Sequence, residues 1–192
     1  MNPILVIGAT GAVGRQVVSR LAATDMQVRA MARNPGAARF PPQVEVVRGD
    51  LTVPETLDGC FDGIDTVFLV WTPRQPLLFP LCSGSRSTRG ASYISQPRSR
   101  RPTRSSNRPI RSERCSEQIE RLIETSGLQW TFLRPGMFAA NALNWWAPQI
   151  RVGDVVRWPY LAAPTAPVDE RDIAAVAVRA LCEDGHAGAD IF

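Results

Sequence analysis

Ile4-Leu5-Val6-Ile7-Gly8-Ala9-Thr10-Gly11-Ala12-Val13-Gly14 is the stretch that decides the fold. Its first four residues, apolar and half of them isoleucine, have the length and branching of a short buried strand. Gly8, Gly11 and Gly14 follow at once in GxxGxxG spacing, and Val13, Val17, Val18 and Leu21 then recur at helical spacing. The reading is strand, glycine turn, helix. Glycines keep the turn tight and let backbone N–H groups close on a pyrophosphate, whose charge the helix N-terminus stabilises. Thr10 adds a hydroxyl that can donate a hydrogen bond. At the first strand of a chain this pattern points to a dinucleotide site formed by Gly8, Thr10, Gly11, Ala12, Val13 and Gly14.

The same rhythm continues outward. Val28 to Ala32 reads as a second strand and Val44 to Val47 as a third, ending in Arg48-Gly49-Asp50-Leu51; a helix can start at Pro54, and Thr66 to Trp71 reads as a fourth strand. Beyond Glu117, Ile119, Leu122 and Ile123 form a helical face that stops at Ser126-Gly127. Trp130 to Leu133 is a strand, Met137 to Trp146 a helix, and Val155 to Trp158 a candidate short strand. Asp169, Glu170 and Asp172 then open a helix over Ile173 to Leu181, acids where the helix dipole favours them. Alternation of this kind predicts an α/β fold, a Rossmann-like parallel sheet with helices on both faces.

The residues at the second strand's end select the dinucleotide. An acid there would bind the ribose 2′-hydroxyl, but the sequence is Met31-Ala32-Arg33-Asn34, with Arg15 near the glycine turn. Arg33 suits a 2′-phosphate and predicts NADP over NAD. Asp50 and Leu51 either hold the adenine edge and face, or Asp50 caps a helix ahead of Pro54. Trp145 and Trp146, with Met137 and Phe138, read first as core and second as a pocket or partner surface; His186, the one histidine, reads as a solvated loop residue.

The charge total needs dividing before it is used. All 22 basic residues are Arg, and nine of them lie between Ser83 and Ser116 beside one acid, Glu113, with ten Ser and three Pro. The remainder holds 13 Arg against 17 acids, a balance of −4. The basic character therefore belongs to one segment, and nucleic acid is not an expected partner of the domain. So few apolar residues cannot offset the cost of ordering a chain. The expectation is one domain over 1–192, interrupted by a disordered Arg/Ser/Pro-rich segment at 83–116, with the fifth parallel strand missing or disordered and trypsin cutting there first. No run approaches the roughly 18 apolar residues of a membrane span, and Ile4 to Ile7 is too short for a signal-peptide core, so the expected location is the cytoplasm. Cys60, Cys82, Cys115 and Cys182 lie far apart with no CxxC, indicating neither a metal site nor a disulfide framework.

Several of these residues together resemble the NmrA-like NAD(P)H-binding branch of the atypical short-chain dehydrogenases/reductases. They are Gly8 to Gly14 as GATGAVG, Arg33, Gly49-Asp50-Leu51, Val70-Trp71-Thr72-Pro73, and the run Ser126 to Phe138 that contains Leu133-Arg134-Pro135-Gly136. The resemblance covers about 1–80 and 117–192. It implies a Rossmann core, an NAD(P) cofactor flanked by Val70, Trp71 and Thr72, and either hydride transfer to a small organic acceptor or cofactor sensing without turnover. The chain departs from the family in its middle. A helix, a strand ending in small hydroxyl residues and a loop beside the nicotinamide are expected where the Arg/Ser/Pro segment stands. No Lys exists, so the Tyr-x-x-x-Lys pair of typical short-chain dehydrogenases is absent, and Tyr93 and Tyr160 stand in no such context. The catalytic residues and the substrate are not identified by sequence. The abrupt borders and the lysine-free composition suggest that 83–116 is the translation of a shifted reading frame, which would leave an inactive family member; the alternative is a genuine insertion. The chain also stops at Asp190-Ile191-Phe192, where a further strand would be expected.

Overall fold

The computed structural model describes residues 3–70, 90–94, 111–158 and 166–192. Seven parallel strands form one sheet: β1 (Ile4–Ile7), β2 (Val28–Ala32), β3 (Glu45–Arg48), β4 (Thr66–Val70), β5 (Gly90–Ile94), β6 (Gln129–Leu133) and β7 (Ala189–Ile191), in the order β3-β2-β1-β4-β5-β6-β7. The order reverses at β1, and in such sheets the crevice at the carboxyl ends of the strands beside the reversal is where ligands bind.

Period-two alternation divides the core into two layers. Ile4, Val6, Ala30 and Phe68 face one side and meet Val13, Val17, Val18 and Leu21 of helix α1 (Ala12–Leu21) and Ile173, Ala174 and Ala177 of helix α5 (Glu170–Cys182). Leu5, Ile7, Met31, Val67 and Leu69 face the other side and meet Ile119 and Ile123 of helix α2 (Arg111–Thr125). Each buried aliphatic or aromatic side chain contributes about 1.5–3 kcal/mol, which explains why strands covered on both faces are uninterrupted apolar runs. The helices on both faces match the sequence reading.

Several boundaries differ from the sequence reading, each for a physical reason. The fifth strand is not missing: Gly90–Ile94 occupies the slot between β4 and β6, in register from Thr66↔Gly90 to Val70↔Ile94 and from Gly90↔Gln129 to Ile94↔Leu133. Three of the few apolar residues of the segment, Ala91, Tyr93 and Ile94, fall there, and pairing on both sides supplies a full set of main-chain hydrogen bonds. Helix α2 starts at Arg111 instead of Glu117, because Arg111, Glu113 and Arg114 are good helix formers even without apolar spacing. Of the interval expected to be disordered, 83–89 and 95–110 lie outside the described residues, as do 71–82 before it. The sheet also gains β7 from residues that looked like a stump, Thr131↔Ala189 to Leu133↔Ile191.

Pro54 opens only a single 3-10 turn, Pro54–Thr56, since Thr56 Oγ1 contacts the carbonyls of Asp50 and Val53 and accepts the Asp50 N–H, holding the chain in turns. The helix expected over Met137 to Trp146 is two short ones, α3 (Ala140–Trp145) and α4 (Ala147–Val152), because Pro148 has no N–H to continue the ladder of α3 but is well suited to the first turn of a new helix. Val155 to Trp158 forms no strand; the main-chain groups of Arg157 pair with the side chain of Gln149 instead. Among the described residues no helix is long and apolar enough to cross a membrane.

Candidate functional site

The glycine turn joins β1 to α1 at the point where the strand order reverses. Gly8 takes φ +80°, a conformation L side chains rarely adopt, and the end of the neighbouring strand β4 comes close: a Cβ on Gly8 would lie 3.0 Å from the Val70 Cβ. Gly14 has no room at all, since a Cβ there would sit 2.1 Å from the Gly8 carbonyl oxygen. Gly11, whose N–H donates to Gly8 O at 3.0 Å, is the N-cap of α1 and offers no side-chain cap. No acidic side chain occupies the first turn either. The leading N–H groups of α1, from Ala12, Val13 and Gly14, thus face an approach that side chains leave open, as a pyrophosphate requires.

Beside this turn lies a pocket of about 560 Å³, lined by Thr10, Arg15, Arg33, Asn34, Ala37, Ala38, Arg39 and Phe40. Arg33 comes from the end of β2; Arg39 and Phe40 follow the 3-10 turn Pro35–Ala37, which folds the chain back toward α1. Arg15 reaches from the first turn of α1, where its Nη2 donates to Thr10 O at 3.2 Å. Sequence reading identified Arg33 and Arg15 but missed Arg39, whose place depends on the turn; Asn34-Pro35-Gly36 was the available signal.

Asp50 stands after β3 with its Oδ1 accepting from Thr52 N at 2.9 Å and Thr52 Oγ1 at 2.7 Å. These bonds hold its carboxyl below the usual carboxylate range, with a lesser contribution from the charge of Arg33. Leu51 is half-buried against the core layer that contains Ile7, Met31 and Leu57. Gly49 has a structural duty, because a Cβ there would overlap the Met31 thioether at 2.6 Å. Val70 ends β4 at the glycine turn, whereas Trp71, Thr72 and Tyr160 lie outside the described residues. Tyr93 is in β5, and the His186 carbonyl accepts the Thr131 hydroxyl at 2.8 Å.

Farther along the carboxyl edge, Arg134 closes β6 and is buried with Glu120 of α2: Nη1 and Nη2 donate to its two carboxylate oxygens at 3.0 and 3.3 Å. The Arg134 Nε donates to Asp190 at 2.8 Å. Burial opposes the guanidinium charge, but the bonds to Glu120 and Asp190 outweigh it and raise the arginine pKa. The sequence carried a signal for this pair, since Glu120 lies on the same helical face as Ile123. Asp169 caps α5, and Glu170 Oε1 accepts from Ala140 N at 3.1 Å, tying α3 to a polar pocket that also contains Ala12 and Arg15.

Comparison with known proteins agrees with this geometry. Residues 8–94 match the NAD(P)H-binding family model. The chain is 42% identical over 189 residues to a (4-alkanoyl-5-oxo-2,5-dihydrofuran-3-yl)methyl phosphate reductase of Streptomyces griseus subsp. griseus, a match covering 96% of this chain and 65% of the relative. It is 32% identical over 187 residues to an NAD(P)H azoreductase of Xenophilus azovorans, covering 95% and 64%. The chain therefore spans just under two thirds of the length of these curated relatives. Among solved structures, the triphenylmethane reductase of Citrobacter sp. complexed with NADP(H) superposes with a TM-score of 0.78 at 20% identity, over 99% of this chain and 68% of that one.

Proposed function

We propose that the chain is an NAD(P)H-binding reductase of the NmrA-like type, that it binds NADPH in preference to NADH, and that it transfers hydride from it to a small organic acceptor. The observation that carries the cofactor preference is the pocket in which Arg15, Arg33 and Arg39 converge beside the glycine turn. Three guanidinium groups on one 2′-phosphate offer charge-assisted hydrogen bonds that a 2′-hydroxyl cannot repay. The Gly8–Gly14 cradle fits the pyrophosphate for the reason already given: no side chain could be added there. Relatives named as reductases support the reaction type.

A nicotinamide cofactor held by the glycine turn and the arginine pocket would supply hydride chemistry toward an electrophilic atom of the acceptor, with water as the source of the balancing proton. The part of this chain is orientation. The α1 N–H groups fix the pyrophosphate, the arginine pocket anchors the adenosine end, and Val70 borders the turn at the end of β4. With no lysine in the sequence, the typical Tyr–Lys proton relay is not available to it.

Titration of cofactor fluorescence checks the reading. NADPH is expected to bind at least about tenfold more tightly than NADH, about 1.4 kcal/mol, and Arg33→Asp to erase or reverse the difference. Equal affinity of the unaltered chain for both cofactors would sink the preference. Tight NADPH binding with no acceptor-dependent oxidation would instead make the protein a cofactor sensor.

A further inference from the structure

Trp145, Trp146 and Trp158 belong to neither core layer, contrary to the first reading of Trp145 and Trp146 as core; of their group only Phe138 packs there. Their surroundings are open. Of the nine large apolar residues left exposed among the described residues, six fall within residues 143–156: Leu143, Trp145, Ile150, Val152, Val155 and Val156, from 40% to 91% exposed. At roughly 200 Å² for a whole residue of this size, those fractions leave about 700 Å² of apolar residue facing water. The largest apolar patch on a typical monomer is roughly 300–600 Å², so this concentration calls for a covering partner.

The stretch is also held in shape. The Trp158 ring lies 5.0 Å from that of Trp145, tilted by 33°, and 5.8 Å from that of Trp146, edge-on. Gln149 donates to Trp145 O at 2.7 Å and to Arg157 O at 3.4 Å, and accepts the Arg157 N–H at 2.8 Å. These contacts tie α3, α4 and residues 157–158 together, so little freedom is left to lose on docking. Charge follows the same stretch. Arg151, Asp154 and Arg157 are exposed, alternate in sign, and have no ion-pair partner among the described residues.

We propose that the face formed by α3, α4 and residues 153–158 docks a second copy of this chain about a two-fold axis, with Trp145 as its aromatic anchor. The inference goes beyond the reductase reading and does not depend on it. A two-fold contact sets a surface against itself, so a charged rim must carry both signs within one patch. Arg151, Asp154 and Arg157 meet that need: the acid of each copy stands opposite an arginine of the other, around the apolar contact. A polyanion or an anionic membrane would instead meet Asp154 and a domain that is net acidic outside 83–116, which disfavours both. The area agrees as well, since a standard interface takes roughly 800 Å² from each partner and the six apolar residues alone offer most of it. None of these residues lines the glycine turn or the arginine pocket, so the docked face and the cofactor site are separate.

Sedimentation velocity of the full chain over a concentration series tests this without any cofactor. The chain should pass from one copy to two and stop there. Leu143→Asp and Val152→Asp, both at exposed positions, should each raise the dimer dissociation constant at least about tenfold while far-UV circular dichroism stays unchanged. Asp154→Arg, and separately Arg151→Asp with Arg157→Asp, should each be monomeric where the unaltered chain is dimeric, because like charges then face each other. An equimolar mixture of those two variants should restore the dimer. A monomer at every concentration overturns the proposal, as does a dimer that Leu143→Asp and Val152→Asp leave intact. A mixture that stays monomeric overturns the charge pairing on which the choice of partner rests. Association that grows past two copies overturns the proposal in favour of an open-ended contact. A monomer that sediments with phosphatidylglycerol vesicles overturns it in favour of a lipid surface.

Discussion

Single atoms decide whether the cofactor cradle exists. A Cβ on Gly14 would meet the Gly8 carbonyl at 2.1 Å, and the clash is with backbone, which cannot swing aside as a side chain can. Gly14→Ala is therefore expected to cost about 1–3 kcal/mol in urea denaturation and to weaken NADPH at least tenfold, because the strain is relieved only by opening the turn. Unchanged stability would show that the turn is looser than its geometry implies. A second residue-scale effect concerns α5. Asp169 caps that helix, accepting from Arg171 N at 2.8 Å and from the Arg171 side chain at 2.7 and 3.0 Å; the side-chain bonds, then the backbone bond, hold its carboxyl at about 2, below the ordinary 3.8. A depressed folded-state value means the bond stabilises the fold at all pH above the unfolded value and is lost as pH falls toward the folded one. Comparing Asp169→Ala with the unaltered chain, the difference in urea midpoint should be constant from neutral pH to about pH 5, fall progressively below that, and vanish only below the folded value of about 2. A difference that does not fall between about pH 5 and pH 2 would place the stabilisation elsewhere.

Elements that meet only through one charged pair respond differently from those that meet through apolar faces. Helix α2 reaches the sheet by Ile119 and Ile123, which its spacing announced, and by Glu120, which bonds Arg134 with side-chain exposures of 1% and 4%. Removing one partner strands a buried charge. Glu120→Ala is expected to destabilise the chain by about 3–5 kcal/mol, whereas Glu120→Leu with Arg134→Met, an apolar pair, should recover most of that. If the double variant is as unstable as the single one, the bond to Asp190 matters more than that to Glu120. The elements legible in the sequence were those with a strong period and clear ends: β1, α1, β2, β4 up to Val70, β6 and α5. Those that were not legible depend on tertiary partners. Gly90–Ile94 has no alternation of its own and is a strand because β4 and β6 flank it, and Ala189–Ile191 is a strand because β6 offers an edge. Arg157 is held by Gln149, a side chain no periodicity marks. The candidate site divides in the same way. The glycine cradle and Arg33 could be read from local spacing, but Arg39 and the Arg134 ion pairs needed the fold.

At the scale of the whole chain, two kinds of sequence share one sheet. The interval 83–116 carries nine of the 22 arginines and one of the 18 acids, while everything else is a net acidic α/β domain. An insertion adds residues to a complete fold. Here the sheet position between β4 and β6 is filled by Gly90–Ile94 from inside the interval, and the match to the NAD(P)H-binding family model runs through that strand to residue 94. We propose that the abrupt change of composition at Ser83 and Ser116 nonetheless marks two compensating frame shifts. A lysine-free chain suggests GC-rich codons, whose other frames tend toward Arg, Ser and Pro. The gene is therefore expected to encode, when codons 78–117 are read one or two nucleotides out of frame, a β-branched strand followed by a Ser-rich loop. The chain with that frame restored should melt at least about 5 °C higher, since a gain of 1 kcal/mol moves Tm by roughly 2–4 °C at this size. It should also turn over NADPH at least about tenfold faster, because β4 and β5 end at the carboxyl edge, where the nicotinamide would lie. If neither alternative frame contains such a strand, the segment is native to this protein. Gly90–Ile94 is then the strand that evolved for the slot, and the expected gains in stability and turnover disappear with the hypothesis.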